Sequence, residues 1–167
     1  MGITPPRPLQ QGDDLTAFDC GQSSLNKWLQ NHAWRNQQTG ASRTNVVCDN
    51  ASGQIVGYVS LSSGSIERGA MKRGLSHGKP EIIPVTLLGQ LAVDENFVGQ
   101  NLGESLLYFA LKTAFNMSKH VGTLGVMTHP LNENARQFYL RYGFEEIPGD
   151  QRGALLLRIK DIEASGF

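Results

Sequence analysis

A chain of 167 residues with 15 basic and 15 acidic side chains, a formal net charge of zero and 40% hydrophobic residues has the composition of an ordinary globular domain. Neutrality argues against broad nucleic-acid affinity, though a local basic patch is compatible with it. No run of about 18 apolar residues exists to cross a bilayer. The stretch from Met1 to Asp14 lacks the apolar core of a secretory signal, and Pro6 stands where a myristoylation motif needs Ser or Thr. Cys20 and Cys48 have no metal-type spacing and read as reduced thiols of a cytoplasmic protein. The histidines at 32, 77, 120 and 129 are unpaired in sequence, so no metal site is expected.

Prolines at 5, 6 and 8 exclude an early helix, so residues 1–12 read as an extended lead-in. Ser23 reads as the N-cap of a helix in which Leu25, Trp28, Leu29, His32 and Ala33 recur at i, i+3, i+4, i+7 and i+8. Lys27, Asn31 and Arg35 line its other side. Trp34 beside Arg35 is either a stacking platform for a nucleotide or a partly buried side chain. Gln37–Ser42 reads as a turn; Thr44–Cys48 and Ile55–Leu61 read as strands joined by the Asp49–Gly53 hairpin connection. Residues 62–80 read as a long loop with four glycines, in which Arg68, Lys72, Arg73 and Lys79 stand against Glu67 alone. Such a segment is either a patch for an anionic substrate or a solvated loop.

Val85–Val93 is an apolar, β-branched run that suits a buried strand, interrupted by Gly89, which marks a bulge or a close ligand approach. Leu102, Leu106, Ala110 and Ala114, spaced by four, make the apolar stripe of a helix. Between strand and helix lies a polar loop with Gly99 and, at the helix start, Gly103. There the backbone N–H groups and the positive end of the helix dipole converge on one spot, where an anion can sit. Val121–Thr128 reads as a strand and Asn132–Tyr142 as a helix closed by Gly143. Ala154–Ile159 reads as a last strand before a loose tail. No repeat or linker divides the chain, so one domain over residues 1–167 is expected.

The central stretch resembles the signature of the GNAT superfamily of acetyl-CoA-dependent N-acetyltransferases: a strand ending Leu91-Ala92-Val93, an acidic turn, and the loop Val98-Gly-Gln-Asn-Leu-Gly103. The loop departs from that pattern at Val98, where the family has Gln or Arg, and at Asn101, where it has Gly. Asn132, Ala135, Phe138, Tyr139, Gly143 and Phe144 resemble the closing motif of the same superfamily. Upstream, Phe18-Asp-Cys-Gly21, Gly57-Tyr-Val-Ser-Leu-Ser-Ser-Gly-Ser65 and the run from Ile83 to Asp94 resemble the TacT-type branch of GNAT toxins, with Gln90 replacing the usual Arg. The likeness is close over residues 85–145 and looser upstream.

The resemblance implies an α/β GNAT fold, a mixed twisted sheet flanked by helices on both faces. It implies acetyl-CoA as co-substrate, with no metal, and transfer of acetyl to the α-amine of aminoacyl-tRNA, which blocks translation. Its implied partners are aminoacyl-tRNA, a ribbon-helix-helix antitoxin and a second copy in a homodimer, with no membrane. Leu91, Ala92 and Val93 would pair with the pantetheine arm like an added strand, and Val98, Gly99, Gln100, Asn101, Leu102 and Gly103 would cradle the pyrophosphate. In the first helical turn Ser105 would touch a phosphate and Glu104 would cap. Asn132 would bond the pantetheine or cap its helix, and Phe138 would border the cofactor.

Tyr139 is the catalytic candidate: a phenol with an ordinary pKa near 10 is protonated at neutral pH and can give a proton to a departing thiolate. The alternative is a tyrosine that only packs in the core. Arg35, Arg68, Lys72, Arg73 and Lys79 are the candidates for holding tRNA. Two other readings stand beside the toxin: a GNAT enzyme for a small-molecule or protein amine, and a degenerate GNAT module that binds without catalysing.

Overall fold

A computed structural model describes residues Gly2–Gly166. In chain order the strands and helices are β1 (Arg7–Pro8), α1 (Ser23–Trp28), α2 (Trp34–Thr39), β2 (Arg43–Cys48), β3 (Ile55–Glu67), α3 (Arg73–Ser76), β4 (Ile82–Val93), α4 (Leu102–Ser118), β5 (Gly125–Thr128), α5 (Glu133–Arg141), β6 (Glu145–Glu146), β7 (Leu155–Arg158) and α6 (Ile159–Ala164). The strands hydrogen-bond in the order β1-β2-β3-β4-β5-β7-β6. The β1–β2, β2–β3, β5–β7 and β6–β7 ladders are antiparallel and β4–β5 is parallel, so the sheet is mixed. Among the described residues no helix is long and apolar enough to cross a membrane.

The chain divides into two compact units. The first holds the residues up to Ser62 together with Gly89–Ala110. In it, strand alternation sends Val46 and its cross-strand partner Tyr58 to one face, where they pack with Phe18, Leu29 and Ala33. Val47 and its partner Gly57 point to the other face, which receives α4: a Cβ on Gly57 would lie 3.1 Å from Leu106 Cδ1 and 2.9 Å from Val47 Cγ2. Helices therefore cover both faces, and the one on the Gly57 side approaches closely because that residue has no side chain. Leu102, Leu106 and Ala110, spaced by four, are all buried, and Leu106 makes this contact. The second unit, Ser63–Leu88 with the residues from Leu111 onward, has its own core of Ile66, Met71, Ile83, Val85, Met127, Ile147, Ala154 and Leu156.

Several expectations are corrected. The lead-in is not merely extended: β1 pairs with β2 and is pinned by Arg7, whose guanidinium donates to both Asp13 carboxylate oxygens at 2.9 and 3.0 Å. Ser23 is the first helical residue, after Gln22 as cap, and no side chain caps that end. The helical run continues through a π-turn, Leu29–Ala33, into α2, takes in Gln37–Thr39 of the expected turn, and stops at Gly40 with φ 80°. The π-turn adds a residue to one turn and shifts the apolar period, so His32 is exposed and Gln37 is helical. Trp34 is half-buried against the first core, which favours packing over a stacking platform.

The first part of the expected loop 62–80, through Glu67, is strand. β3 continues to Glu67, and polar Ser62–Ser65 disguised it; Gly64 fits because a Cβ there would crowd Leu87 and Val85 at 3.3 and 3.4 Å. A 3₁₀ turn (Arg68–Ala70) and α3 fill much of the remainder. Strand β5 begins only at Gly125, strand β7 ends at Arg158, and the supposed loose tail is α6.

Candidate active site

In the first unit the β4 strand delivers the chain into the glycine loop. Its parallel ladder with β5 runs from Thr86 to Leu88 and stops there. Beyond Leu88 the β4 backbone pairs with no strand on that side among the described residues, and Gly89 is open, with nothing within 4 Å of a would-be Cβ. Leu91 and Val93 are half-buried and Ala92 is buried, so this segment offers backbone N–H and C=O groups rather than polar side chains.

Asp94 ends the strand. It is 1% exposed, and its carboxylate accepts from the backbone N–H of Asp19 at 3.0 Å and of Asn96 at 2.9 Å. It thereby caps a 3₁₀ turn, Glu95–Phe97, and ties the loop to the Phe18–Gly21 segment, where the Asp19 carbonyl also accepts from Glu95 N–H at 2.9 Å. Asp94 was missed as a positioning residue, although an acid directly after an apolar strand and two residues before Asn96 is a sequence signal for such a turn.

The loop Val98–Gly103 has left-handed backbone at two positions, Gly99 (φ 86°) and Asn101 (φ 60°). Asn101 is the one described non-glycine residue with positive φ, so it adopts the conformation the family pattern gives to glycine. Asn is among the few side chains that tolerate it. Gln100 closes a turn after the 3₁₀ segment, the N–H groups from Asn101 to Glu104 have no backbone acceptor among the described residues, and Ser105 N–H donates to the Asn101 carbonyl at 3.0 Å. A row of unspent donors at the start of a 17-residue helix fits a pyrophosphate. Val98 is 66% exposed, and its apolar side chain has no hydrogen bond to give where the family pattern has Gln or Arg. Leu102 turns into the core, whereas Gln100, Glu104 and Ser105 are exposed. Glu104 lies in the first turn of α4, where its charge suits the helix N-terminus.

In the second unit, α5 begins at Asn132, whose side-chain oxygen accepts from Ala135 N–H at 2.9 Å. The helix-capping role expected for Asn132 is present. Phe138 is half-buried, and Tyr139 sits edge-on between Phe138 and Phe144, with ring centroids 5.2 and 5.3 Å away. Gly143 at φ 93° turns the chain so that Phe144 returns onto Tyr139. Burial pushes the Tyr139 phenol up to about 12, while hydrogen bonding with the Thr128 side chain pulls the other way. Thr128 is itself fixed, donating to the Leu88 carbonyl at 3.0 Å, at the last rung of the parallel ladder. Tyr139 is therefore packed among aromatic rings, with the Thr128 hydroxyl acting against the effect of burial on its pKa; sequence reasoning did not single out Thr128.

The four basic candidates of the second unit lie close in sequence but differ in surroundings. Arg68 donates to the Lys79 carbonyl at 3.0 Å and so braces its own segment, whereas Lys72 and Arg73 are exposed at the start of α3. Lys79 lines a cavity with Arg158 and Lys160. Arg35, in the first unit, is exposed on α2.

The model of the Acetyltransferase (GNAT) family matches residues 14–144. The chain is 34% identical over 163 residues to the tRNA-acetylating toxin of Mycobacterium tuberculosis, covering 98% of this chain and 96% of that one. It is similar to the structure of AtaT complexed with acetyl-methionyl-tRNAfMet, with a TM-score of 0.91 and 31% identity over 99% of this chain and 100% of that one. It is also similar to a Tyr-to-Phe mutant of the AtaT toxin bound to the C-terminus of the antitoxin AtaR and acetyl-CoA, with a TM-score of 0.82 and 31% identity over 98% of this chain and 97% of that one. On a family match across most of its length, a mixed sheet with helices on both faces, and the glycine-loop and Tyr139 geometry, the chain belongs to the GNAT acetyltransferase family.

Proposed function

We propose that this protein is a toxin that transfers acetyl from acetyl-CoA to the α-amine of aminoacyl-tRNA and so stops translation. The end-to-end match to a tRNA-acetylating toxin carries the substrate assignment. The loop supports the co-substrate, because the N–H groups of Asn101–Glu104 and the α4 dipole suit a pyrophosphate, and the open edge of Leu91–Val93 suits the pantetheine amides. Acetyl-CoA supplies an activated thioester. An α-amine has an ordinary pKa of about 7.7–8.0, lowered further by the neighbouring ester, so much of it is neutral and nucleophilic near pH 7 without a dedicated base. Tyr139 holds its proton throughout the physiological range and gives it to the leaving thiolate; the nitrogen releases one proton on acylation, which restores the phenol. Arg35, Arg68, Lys72, Arg73 and Lys79 contact the tRNA, an antitoxin of the ribbon-helix-helix type silences the enzyme, and the active form is a homodimer.

Incubation with radiolabelled acetyl-CoA and total charged tRNA tests this reading. Label in the aminoacyl-tRNA fraction, with growth arrest on expression, supports it. Transfer only to free amines or peptides moves the protein to a different substrate. Absence of acetyl-CoA binding leaves a module that does not catalyse.

A further inference from the structure

A cavity of about 280 Å³ in the second unit is lined by Gly74, Leu75, Lys79, Thr123, Leu124, Arg158 and Lys160. Its lining contains three cations and no carboxylate, in a chain whose net charge is zero. Asp161 engages Arg158 through Nε alone, at 3.1 Å, so the two terminal guanidinium nitrogens keep their donors free among the described residues. Lys79 and Lys160 have no acidic partner among the described residues. Thr123 is already committed, with its hydroxyl 3.2 Å from that of Thr86 and 3.1 Å from the Gly125 carbonyl, so recognition falls to the cations. The cations line one cavity from two places in the chain: Lys79 follows α3, while Arg158 is the last residue of β7 and Lys160 lies in the first turn of α6.

We propose that this cavity is a phosphodiester subsite for the RNA backbone, with Arg158 as the fork that grips the phosphate and Lys79 and Lys160 as flanking charges. A guanidinium with both terminal nitrogens free matches two phosphate oxygens, and ammonium groups add charge without demanding geometry. The volume equals roughly nine waters at about 30 Å³ each, more than a lone phosphate fills, and Leu75 and Leu124 give the remaining wall an apolar surface suited to ribose carbons. None of the lining residues belongs to the Val98–Ser105 loop. Arg158, Thr123 and Lys160 were not among the residues the sequence pointed to. The inference rests on the RNA-acetylating reading and adds a contact remote from the reacting amine in function: it holds the substrate and takes no part in acyl transfer.

The experiment compares wild type with R158Q/K160Q and with the single exposed-site variant K160E. Acetyl transfer is measured to full-length aminoacyl-tRNA and to a short aminoacyl-adenosine acceptor, over a salt series. The proposal requires KM for aminoacyl-tRNA to rise about tenfold in the double variant at low salt. It also requires the slope of log KM against log salt to flatten by about one to two, the loss of one or two phosphate contacts. Turnover at saturation, KM for acetyl-CoA and the rate with the short acceptor stay unchanged. K160E must show the same pattern, which guards against a double variant that folds poorly. Unchanged KM and slope in both variants with an active wild type overturns the subsite and leaves the tRNA reading intact. A rise confined to KM for acetyl-CoA overturns it in favour of a co-substrate phosphate, and a loss confined to binding of an acidic peptide overturns it in favour of a protein partner. If wild type acetylates no charged tRNA, the functional reading falls first and the RNA subsite with it.

Discussion

At the scale of single residues, Tyr139 joins packing and chemistry in one side chain. Tyr139→Phe keeps the ring contacts with Phe138 and Phe144 but removes the proton, so transfer at saturating acetyl-CoA should fall about 10²–10⁴-fold with acetyl-CoA affinity unchanged. The same group shapes alkaline stability. Its folded pKa, about 12, lies above the ordinary value near 10, so between those pH values the folded state holds a proton that the unfolded chain has lost. Stability therefore declines from about pH 10 to 12, and Tyr139→Phe should shallow that decline in urea titrations. His129 works in the acid direction. Burial chiefly, then Arg152, lowers its pKa, against the pull of Asp150 3.9 Å away. Below about 6.5 the unfolded chain takes up the proton first, so stability falls with falling pH. His129→Gln should flatten melting temperature against pH from 7 down to 5. Asn101 stands at φ 60°, a left-handed conformation that Asn holds at modest strain and with a side chain where glycine has none. Asn101→Gly relieves a strained or crowded position, so tightening of acetyl-CoA binding by up to about 1 kcal/mol by calorimetry is expected. Weaker binding by the variant would instead make the Asn side chain a ligand contact.

Elements show where the sequence was readable. Helix α4 was legible because its stripe is regular over four turns, and α5 because Asn132 and Gly143 punctuate both ends. The second half of β3 was not, because Ser62–Ser65 carries loop chemistry while its register is set by neighbouring strands. Strand β6 consists of two exposed glutamates that pair with Leu156 and Leu155, Glu146 also engaging Arg136, and nothing in their own chemistry announces it. For the site, loop and tyrosine could be read from motif order, whereas Thr128 and Asp94 matter through long-range bonds that spacing does not encode. Gly125 shows how tight the β5–β7 pairing is: a Cβ there would sit 2.2 Å from the Leu157 carbonyl oxygen and 2.7 Å from Arg158 Cα. Backbone cannot swing aside as a side chain can. Gly125→Ala should cost about 2–4 kcal/mol in chemical denaturation, whereas Gly122→Ala, with nothing within 4 Å, should change little.

Across the whole molecule, zero net charge makes the local arrangement of cations decisive. Replacing Lys72, Arg73 and Lys79 by Ala should weaken aminoacyl-tRNA binding and reduce its salt dependence, because each lost phosphate contact releases fewer counterions. Arg68 is better left in place in that test, since its bond to the Lys79 carbonyl supports the segment. Filter binding at several salt concentrations reads the result, and an unchanged slope would assign these three side chains to solvent.

Both tryptophans of the chain, Trp28 and Trp34, lie on the one helical run of the first unit, with Trp28 stacked parallel on Tyr58 at 6.0 Å. Indole emission during denaturation is consequently a one-sided optical probe, blind to the unit that carries Tyr139. Far-ultraviolet circular dichroism sees the helices of both units. Superimposable curves from the two signals would establish a single cooperative transition, and an emission change that leads or lags the dichroism would reveal each half melting on its own.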